Sequence, residues 1–206
     1  MMTIVYEVGD GLYVNITNRC QNNCDFCIRK NGDGAYESDS LWLDREPTVE
    51  EVLSAIREKN PAHYREIVFC GYGEPTCRFH DLIAICRALR AETDTPIRLN
   101  TNGQLLLAEG EGAVEEMRTC FDTVSISLNE ATPTLYDAVC HSEYGEAAFP
   151  SILAFAERVK DVVPHVCFSV VDAFLSPASL DACRNIASSI GIPLRVRTYI
   201  GSSAEK

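Results

Sequence analysis

Strand-like segments with a period of two alternate with segments of helical period along the chain. The strand-like segments span 12–17, 66–71, 96–101, 122–128, 165–171 and 193–199. The helical segments between them span 48–60, 79–92, 111–120, 147–162 and 176–191. Parallel strands require a crossover connection, so this strict alternation predicts an α/β fold with a parallel sheet and right-handed crossovers. We expect residues 1–206 to form a single domain.

Polar residues on one face of the predicted strands distinguish between two architectures. A doubly wound sheet is covered on both faces, so its strands are apolar throughout. In this chain Ser125, Ser127 and Asn129 follow one another on one side of a strand, as do Arg195 and Arg197. A curved, barrel-like sheet with helices outside and a polar hollow inside explains this alternation. We therefore favour a partial barrel over a doubly wound sheet.

Composition limits the classes of function. The net charge of -12 argues against a sequence-independent grip on nucleic acid or on an anionic membrane. The chain has neither a run of eighteen apolar residues nor a signal-peptide pattern at its start, so we expect a cytoplasmic protein. In that compartment most of the ten cysteines are expected to be reduced.

Three cysteines, Cys20, Cys24 and Cys27, follow the first predicted strand within eight residues. Loops at the carboxyl ends of barrel strands form active sites, so the cysteines are candidates for a metal centre. Structural zinc and electron-carrying clusters both take four protein ligands, and no second close pair of cysteines follows. We favour an iron–sulfur cluster with one iron free for a non-protein ligand. A non-catalytic iron–sulfur or zinc-binding module is the alternative.

Four motifs together resemble the radical S-adenosylmethionine (radical SAM) superfamily. The CxxxCxxC spacing of the three cysteines is followed by GYGEPT at 71–76, NTNG at 100–103 and SISLN at 125–129, each at the end of a successive strand. The resemblance implies a partial (β/α)6 TIM-like barrel. The sequence is most similar to a small, core-only group that is associated with TatD-type hydrolases, which implies such a hydrolase as a partner.

The resemblance also implies the chemistry. Cys20, Cys24 and Cys27 would hold a [4Fe-4S] cluster whose free iron binds the amino and carboxylate groups of S-adenosylmethionine. A flavodoxin- or ferredoxin-like donor would supply the electron for reductive cleavage, and the resulting 5′-deoxyadenosyl radical would abstract hydrogen from an unknown substrate, for which a protein is one candidate. Activation of a partner protein by formation of a glycyl radical is the alternative reaction.

Ten residues match positions that contact S-adenosylmethionine in that family. They are Phe26, Gly71, Gly73, Glu74, Asn102, Ser127, Asn129, Ser169, Val171 and Arg197. The two glycines would allow the backbone to approach the ligand, and Glu74 would bind its amino group. For Arg197 three partners remain open: the cofactor carboxylate, an anionic substrate, or an acidic neighbour in a salt bridge.

Further residues are candidates of lower rank. Cys77 and Cys140, in predicted loops, and Asp172 are candidates for hydrogen or proton donation to substrate. The segment 28–47 is long for a βα loop. It is expected to cover the site as a lid, or to form a surface loop in which Trp42 fills a hydrophobic patch.

Overall fold

Seven strands form one open sheet whose spatial order follows the chain. The structure is a computed structural model that describes residues 2–36 and 38–199. The strands are β1 (Val5–Val8), β2 (Gly11–Val14), β3 (Glu66–Phe69), β4 (Ile97–Thr101), β5 (Thr123–Ser127), β6 (His165–Val171) and β7 (Leu194–Arg197). β1 pairs antiparallel with β2, and the pairs from β2–β3 to β6–β7 are parallel. The predicted partial barrel is confirmed, with β1 as a strand that the sequence analysis missed.

Helices fill the connections between the parallel strands. They are α1 (Val49–Glu58), α2 (Phe79–Arg90), α3 (Leu105–Glu109), α4 (Ala113–Glu116), α5 (Pro133–Cys140), α6 (Ala148–Val159) and α7 (Pro177–Ile190). The five predicted helices are present, although α4 occupies only part of 111–120. α3 and α5 were not predicted. None of the described helices combines the length and apolar character needed to cross a membrane.

Local signals place the helix ends where the sequence predicts them. The Thr48 side chain accepts from the Glu51 N–H at 3.2 Å, and Glu51 accepts from the Thr48 N–H at 2.8 Å, which completes a capping box. Ser176 caps α7 with a proline behind it, and Gly191 ends that helix at a positive φ of 81°. α5 carries the same kind of start: the Thr132 hydroxyl accepts from the Leu135 N–H at 3.3 Å.

The main hydrophobic core lies between the outer face of the sheet and the helices. Val124, Ile126 and Leu128 are fully buried there, as the alternation of β5 predicts. The inner face carries the polar side chains, and many of these are buried as well, including Asn15 and Ser125. Polar groups at such depth require hydrogen-bond partners or a ligand. The inner face is therefore the part of the fold in which to look for a site.

The described residues of the segment 28–47 pack against the inner side of the barrel. The Asn15 side chain donates to the Leu41 carbonyl at 2.7 Å, and Asn18 donates to the Leu43 carbonyl at 2.8 Å. Leu41 is 1% exposed and fills a small inner cluster with Tyr6, Ala35 and Tyr72. Trp42 is 40% exposed and packs edge-on against Tyr72 at 5.1 Å. Leu41 therefore fills the interior of this cluster, and Trp42 packs at its edge, against Tyr72.

Candidate functional site

A cavity of about 490 Å³ opens on the inner face, at the carboxyl ends of the strands. Its size is within the range of small-molecule sites. The three loop cysteines line it together with eight of the ten predicted cofactor contacts: Phe26, Gly71, Glu74, Asn102, Ser127, Asn129, Val171 and Arg197. Residues from the ends of six different strands, β2 to β7, thus meet at one place, as the sequence analysis expects.

The cysteine loop is held by the carboxyl end of α5. The N–H of Asn23 donates to the Cys140 carbonyl at 3.0 Å, and the N–H of Asp25 donates to the Val139 carbonyl at 2.9 Å. Carbonyls in the last turn of a helix have no partner within the helix, so they are free to accept these bonds. The His141 ring lies 2.9 Å from the Asp25 carboxylate. A helix that was not predicted therefore supports the predicted ligands.

Burial keeps the three thiols protonated when no metal is bound. Burial, followed by the negative charge of Glu74, raises the pKa of Cys20 to about 12. The neighbouring Cys140 thiol and then burial raise the pKa of Cys24, and burial raises that of Cys27. Binding of a metal centre must therefore release protons.

The spacing of the thiols bears on the kind of metal centre. Within the described ranges, no three His, Cys, Asp or Glu side chains converge closely enough to hold one metal ion. A cluster differs from a single ion because it presents a separate iron to each thiolate. The zinc alternative thus gains no support from the geometry.

Glu74 is a buried carboxylate that joins two motifs. Its Oε1 accepts from the Thr76 N–H at 3.1 Å, and from the hydroxyls of Thr76 and Thr101, each at 2.8 Å. Its Oε2 accepts from the Asn102 N–H at 2.6 Å. Burial raises the pKa of Glu74, and these four bonds oppose that shift. Oε2 takes only one bond, so this oxygen retains capacity for a donor from a ligand in the cavity.

A buried polar network below the cysteine loop was missed in the sequence analysis. The Tyr136 hydroxyl accepts from the side-chain amides of Asn22 and Gln104, each at 2.9 Å. The Gln104 amide also donates to Asn22 Oδ1 at 2.8 Å, and the Asn102 amide donates to Gln21 Oε1 at 3.0 Å. The network links the cysteine loop, the NTNG turn and α5. Its residues follow no recognised motif, although Gln21 and Asn22 lie between Cys20 and Cys24.

Asn129 has an acceptor that no described residue uses. Its backbone has a positive φ of 59°, and its Nδ2 donates to the Cys140 sulfur at 3.8 Å. Its Oδ1 is buried without a hydrogen-bond partner among the described residues, and the residue lines the cavity. A buried acceptor left unpaired is costly, so its presence indicates a missing donor. A ligand hydroxyl in the cavity fits this observation.

Both motif glycines are required by packing within the chain. A Cβ at Gly71, where φ is 137°, would lie 2.4 Å from the Asn15 side-chain oxygen. A Cβ at Gly73 would lie 2.2 Å from the Thr17 carbonyl oxygen. The loop that precedes Cys20 therefore packs directly against the GYGEPT turn. Gly71 lines the cavity, whereas Gly73 is accounted for without any ligand.

Several candidate residues lie outside the cavity lining. Ser169 is buried on β6 in register with Ser127. Cys140 ends α5 and is fully buried, so its predicted position in a loop is wrong. Cys77 lies in a 3-10 turn at 75–78, where burial raises its pKa to about 12. The Asp172 carboxylate accepts from the Tyr199 N–H at 3.1 Å.

Arg195 and Arg197 line the part of the cavity formed by β7. Among the described residues neither has an ion-pair or hydrogen-bond partner, so the proposed salt bridge of Arg197 to an acidic neighbour has no support. Burial raises the pKa of Tyr36, and the nearby positive charges of these two arginines oppose that shift. The guanidiniums and the Tyr36 ring therefore share one electrostatic environment.

Comparison with known proteins places the fold. Residues 14–175 match the sequence model of the radical SAM superfamily. A probable GTP 3′,8-cyclase of Methanocaldococcus jannaschii is 30% identical over 129 residues, which cover 62% of this chain and 39% of the relative. A probable GTP 3′,8-cyclase of Methanosarcina acetivorans is 29% identical over 132 residues, covering 63% and 36%. The chain spans less than half the length of either relative.

Solved structures with the same fold include SuiB of Streptococcus suis. SuiB bound to its precursor peptide SuiA superposes with a TM-score of 0.70 at 17% identity, over 95% of this chain and 40% of SuiB. SuiB bound to S-adenosylmethionine gives a TM-score of 0.68 at 15% identity, over 93% and 41%. The chain belongs to the radical SAM superfamily and is therefore an enzyme of radical chemistry whose cofactors are a [4Fe-4S] cluster and S-adenosylmethionine.

Proposed function

We propose that Cys20, Cys24 and Cys27 hold the [4Fe-4S] cluster of this enzyme. The observation that carries the proposal is that three thiols on one loop line the same cavity as the GYGEPT, NTNG and SISLN motifs. When bound, the cluster supplies the electron for reductive cleavage of S-adenosylmethionine to methionine and a 5′-deoxyadenosyl radical, which abstracts hydrogen from the substrate. α5 holds the loop in place through its last carbonyls.

Two acceptors of the chain are proposed to orient S-adenosylmethionine. Glu74 Oε2 has capacity for the amino group of the cofactor, because it accepts only one bond within the protein. Asn129 Oδ1 has no hydrogen-bond partner in the part of the chain that the structure describes, and it is suited to a ribose hydroxyl. Phe26, Ser127 and Val171 line the same cavity and complete the binding surface.

The narrower assignment to the core-only, TatD-associated group is part of the proposal. It is supported by the combination of GYGEPT with the long segment that contains Trp42. A flavodoxin- or ferredoxin-like protein is proposed as the electron donor. All ten cysteines are free, which suits a reducing cytoplasm.

Two comparisons with known proteins suggest candidate classes of substrate. The two relatives are named for GTP, and SuiB binds a peptide. A peptide substrate is the second candidate, because the likeness to peptide-bound SuiB extends over 95% of this chain. The positive charge of Arg195 and Arg197 in the cavity favours a small anion as the substrate.

Anaerobic reconstitution of cysteine variants tests the proposed ligands. We expect wild-type protein to bind iron and sulfide, to turn brown, and to release 5′-deoxyadenosine from S-adenosylmethionine under strong reductant. Cys20→Ala, Cys24→Ala and Cys27→Ala should each lose both colour and cleavage. Cys167→Ala is the matched control, because Cys167 is a partly buried thiol that does not line the cavity.

Two results would contradict the assignment. A Cys24→Ala protein that retains the colour and the cleavage would remove Cys24 from the ligand set. A wild-type protein that binds one zinc ion, remains colourless and releases no 5′-deoxyadenosine would support the non-catalytic alternative. Circular dichroism of each variant checks that the fold is retained.

A further inference from the structure

Most arginines of this chain form ion pairs with carboxylates, but a few do not. Fourteen arginines are present, and eleven have a carboxylate within ion-pair distance. The three without a carboxylate partner in the described part of the chain are Arg29, Arg195 and Arg197. Arg29 donates to the Asn22 carbonyl at 3.2 Å, which leaves the two on β7. In a chain with 30 acidic residues, two neighbouring arginines without a carboxylate require an explanation.

The strand register fixes the positions from which the side chains of Arg195 and Arg197 leave β7. Arg197 lies opposite Val171, and Arg195 lies opposite Ser169, one step further from the carboxyl end of the sheet. Alternate residues of a strand face the same side, so Arg195 and Arg197 share one face of β7, and both line the cavity, as does Val196 between them. Arg197 is therefore level with the predicted cofactor contact Val171. Arg195 lies two residues further from the carboxyl end of β7 and is an exposed side chain on this edge strand.

Burial makes the missing partner costly. The Nε of Arg197 is buried and has no hydrogen-bond partner among the described residues. A guanidinium cannot lose its proton at ordinary pH, so it must either remain hydrated or meet an anion. Its planar set of donors matches the oxygens of a carboxylate or a phosphate.

Tyrosine rings form the neighbouring wall. Tyr13 and Tyr36 both line the cavity, with ring centroids 6.4 Å apart. Arg98 lies on the same inner face, but its charge is already balanced by Glu66 at 3.2 Å. Within the described ranges, the positive charge of the cavity that no carboxylate balances thus belongs to Arg195 and Arg197.

We propose that Arg195, assisted by Arg197, binds the oxyanion of a small-molecule substrate, a carboxylate or a phosphate group, on the β7 side of the cavity. The inference rests on the proposed function, because it takes the cavity as the place where the substrate meets the cofactor. Arg195 is the decisive residue, since Arg197 is also a candidate for contact with the cofactor carboxylate.

Calorimetric titration of the reconstituted protein tests the anion site. The probes are pyrophosphate, succinate, and succinamide as the uncharged counterpart of succinate. We expect wild-type protein to bind at least one of the two anions and not succinamide. Arg195→Gln should weaken anion binding about tenfold, by loss of one charged contact. Arg184→Gln should bind as wild type, because Arg184 lies on α7 in an exposed pair with Asp181.

The outcomes identify the anion or refute the site. Binding of pyrophosphate alone assigns a phosphate-bearing substrate, and binding of succinate alone assigns a carboxylate. The proposal is overturned if neither anion binds, or if Arg195→Gln binds as tightly as wild type. Colour and cleavage of S-adenosylmethionine are measured on the same preparation. A brown protein that cleaves S-adenosylmethionine but binds neither anion overturns this inference alone. A colourless protein that binds the anions but does not cleave S-adenosylmethionine overturns the proposed function alone.

Discussion

The two sides of the cavity differ in how their polar groups are satisfied. The cysteine side consists of the loops at 15–27, 71–76 and 101–104. Most of its buried polar groups bond to one another, with the Glu74 carboxylate and the Tyr136 hydroxyl as the points where loops join. Asn15 Oδ1 is an exception, since it has no partner among the described residues. The β7 side consists of Leu194–Arg197. Its Val196 is 42% exposed, and its two arginines have no partner in the described residues.

This difference separates two kinds of site. Polar groups that are satisfied within the protein hold a binding surface in position before the ligand arrives, which lowers the cost of binding. Charged groups without a protein partner are satisfied by water or by a ligand. Under the proposed function and the further inference, the cysteine side is thus organised for the cofactors, and the β7 side for the substrate. Substitutions should therefore cost stability on the first side and not on the second.

The largest loss of stability is expected from Gly71→Ala, which disrupts the packing of the cysteine side. A φ of 137° costs a residue with a Cβ about 1–3 kcal/mol. The contact of that Cβ with Asn15 Oδ1 at 2.4 Å adds a similar amount through overpacking. We expect a loss of about 4 kcal/mol in the free energy of unfolding, measured by urea denaturation.

Gly112→Ala is the control for Gly71→Ala. An added Cβ at Gly112 has no neighbour within 4 Å, and φ there is -63°. This variant should be neutral or slightly more stable, because alanine restricts the unfolded chain. Equal stability of the two alanine variants would contradict the packing that is described for the cysteine side.

Glu74→Gln is expected to have the next largest effect. The substitution keeps the shape but replaces an acceptor by an amide NH2, so a buried donor such as the Asn102 N–H loses its partner. One or two unsatisfied buried donors cost about 3 kcal/mol in total. Chemical denaturation of the cluster-free protein measures this directly. Glu58→Gln on the exposed end of α1 should change stability by less than about 0.5 kcal/mol.

Tyr136→Phe should destabilise by about 2 kcal/mol, because the Asn22 and Gln104 amides lose a common acceptor. Hydrogen exchange should also increase at the Asn23 and Asp25 amides, which bond to the end of the same helix. Tyr64→Phe is the control, since its hydroxyl bonds only to the exposed Glu7 at 3.0 Å. Unchanged exchange in Tyr136→Phe would show that the network does not hold the cysteine loop.

The sequence predicts the fold wherever a local signal is repeated. Alternation in β5 places its polar residues on the inner face, and the capping box starts α1 at the expected residue. β1 was missed because it is a four-residue strand, although the Gly9-Asp10 turn behind it is a hairpin signal. α5 was missed although Thr132 and Pro133 mark its start. Both omissions come from short elements whose hydrophobic pattern is brief.

The candidate site likewise contains residues that a local motif predicts and residues whose roles depend on tertiary contacts. Motif residues that follow a strand end, such as Glu74 and Asn129, were predicted to lie together, and the structure brings them to one cavity. The roles of Gln104 and Tyr136 could not be predicted. The two residues contact each other across 32 positions of the sequence, so their roles depend on tertiary structure and not on a local pattern. The role of Gly73 is likewise tertiary, since the Thr17 carbonyl decides it.

The smallest effect is expected on the β7 side, from Arg195→Gln. Its side chain has no ion pair to lose among the described residues, and removing one charge relieves the repulsion between two neighbouring guanidiniums. We expect the free energy of unfolding to stay within about 0.5 kcal/mol of wild type, or to rise. Urea denaturation at low and high salt measures this, with Arg78→Gln as the control. Arg78 is 7% exposed and donates to the Ile16 and Pro47 carbonyls, so its loss should destabilise clearly. If Arg195→Gln destabilises as much as Arg78→Gln, the arginine is structural, and the two sides of the cavity are built alike.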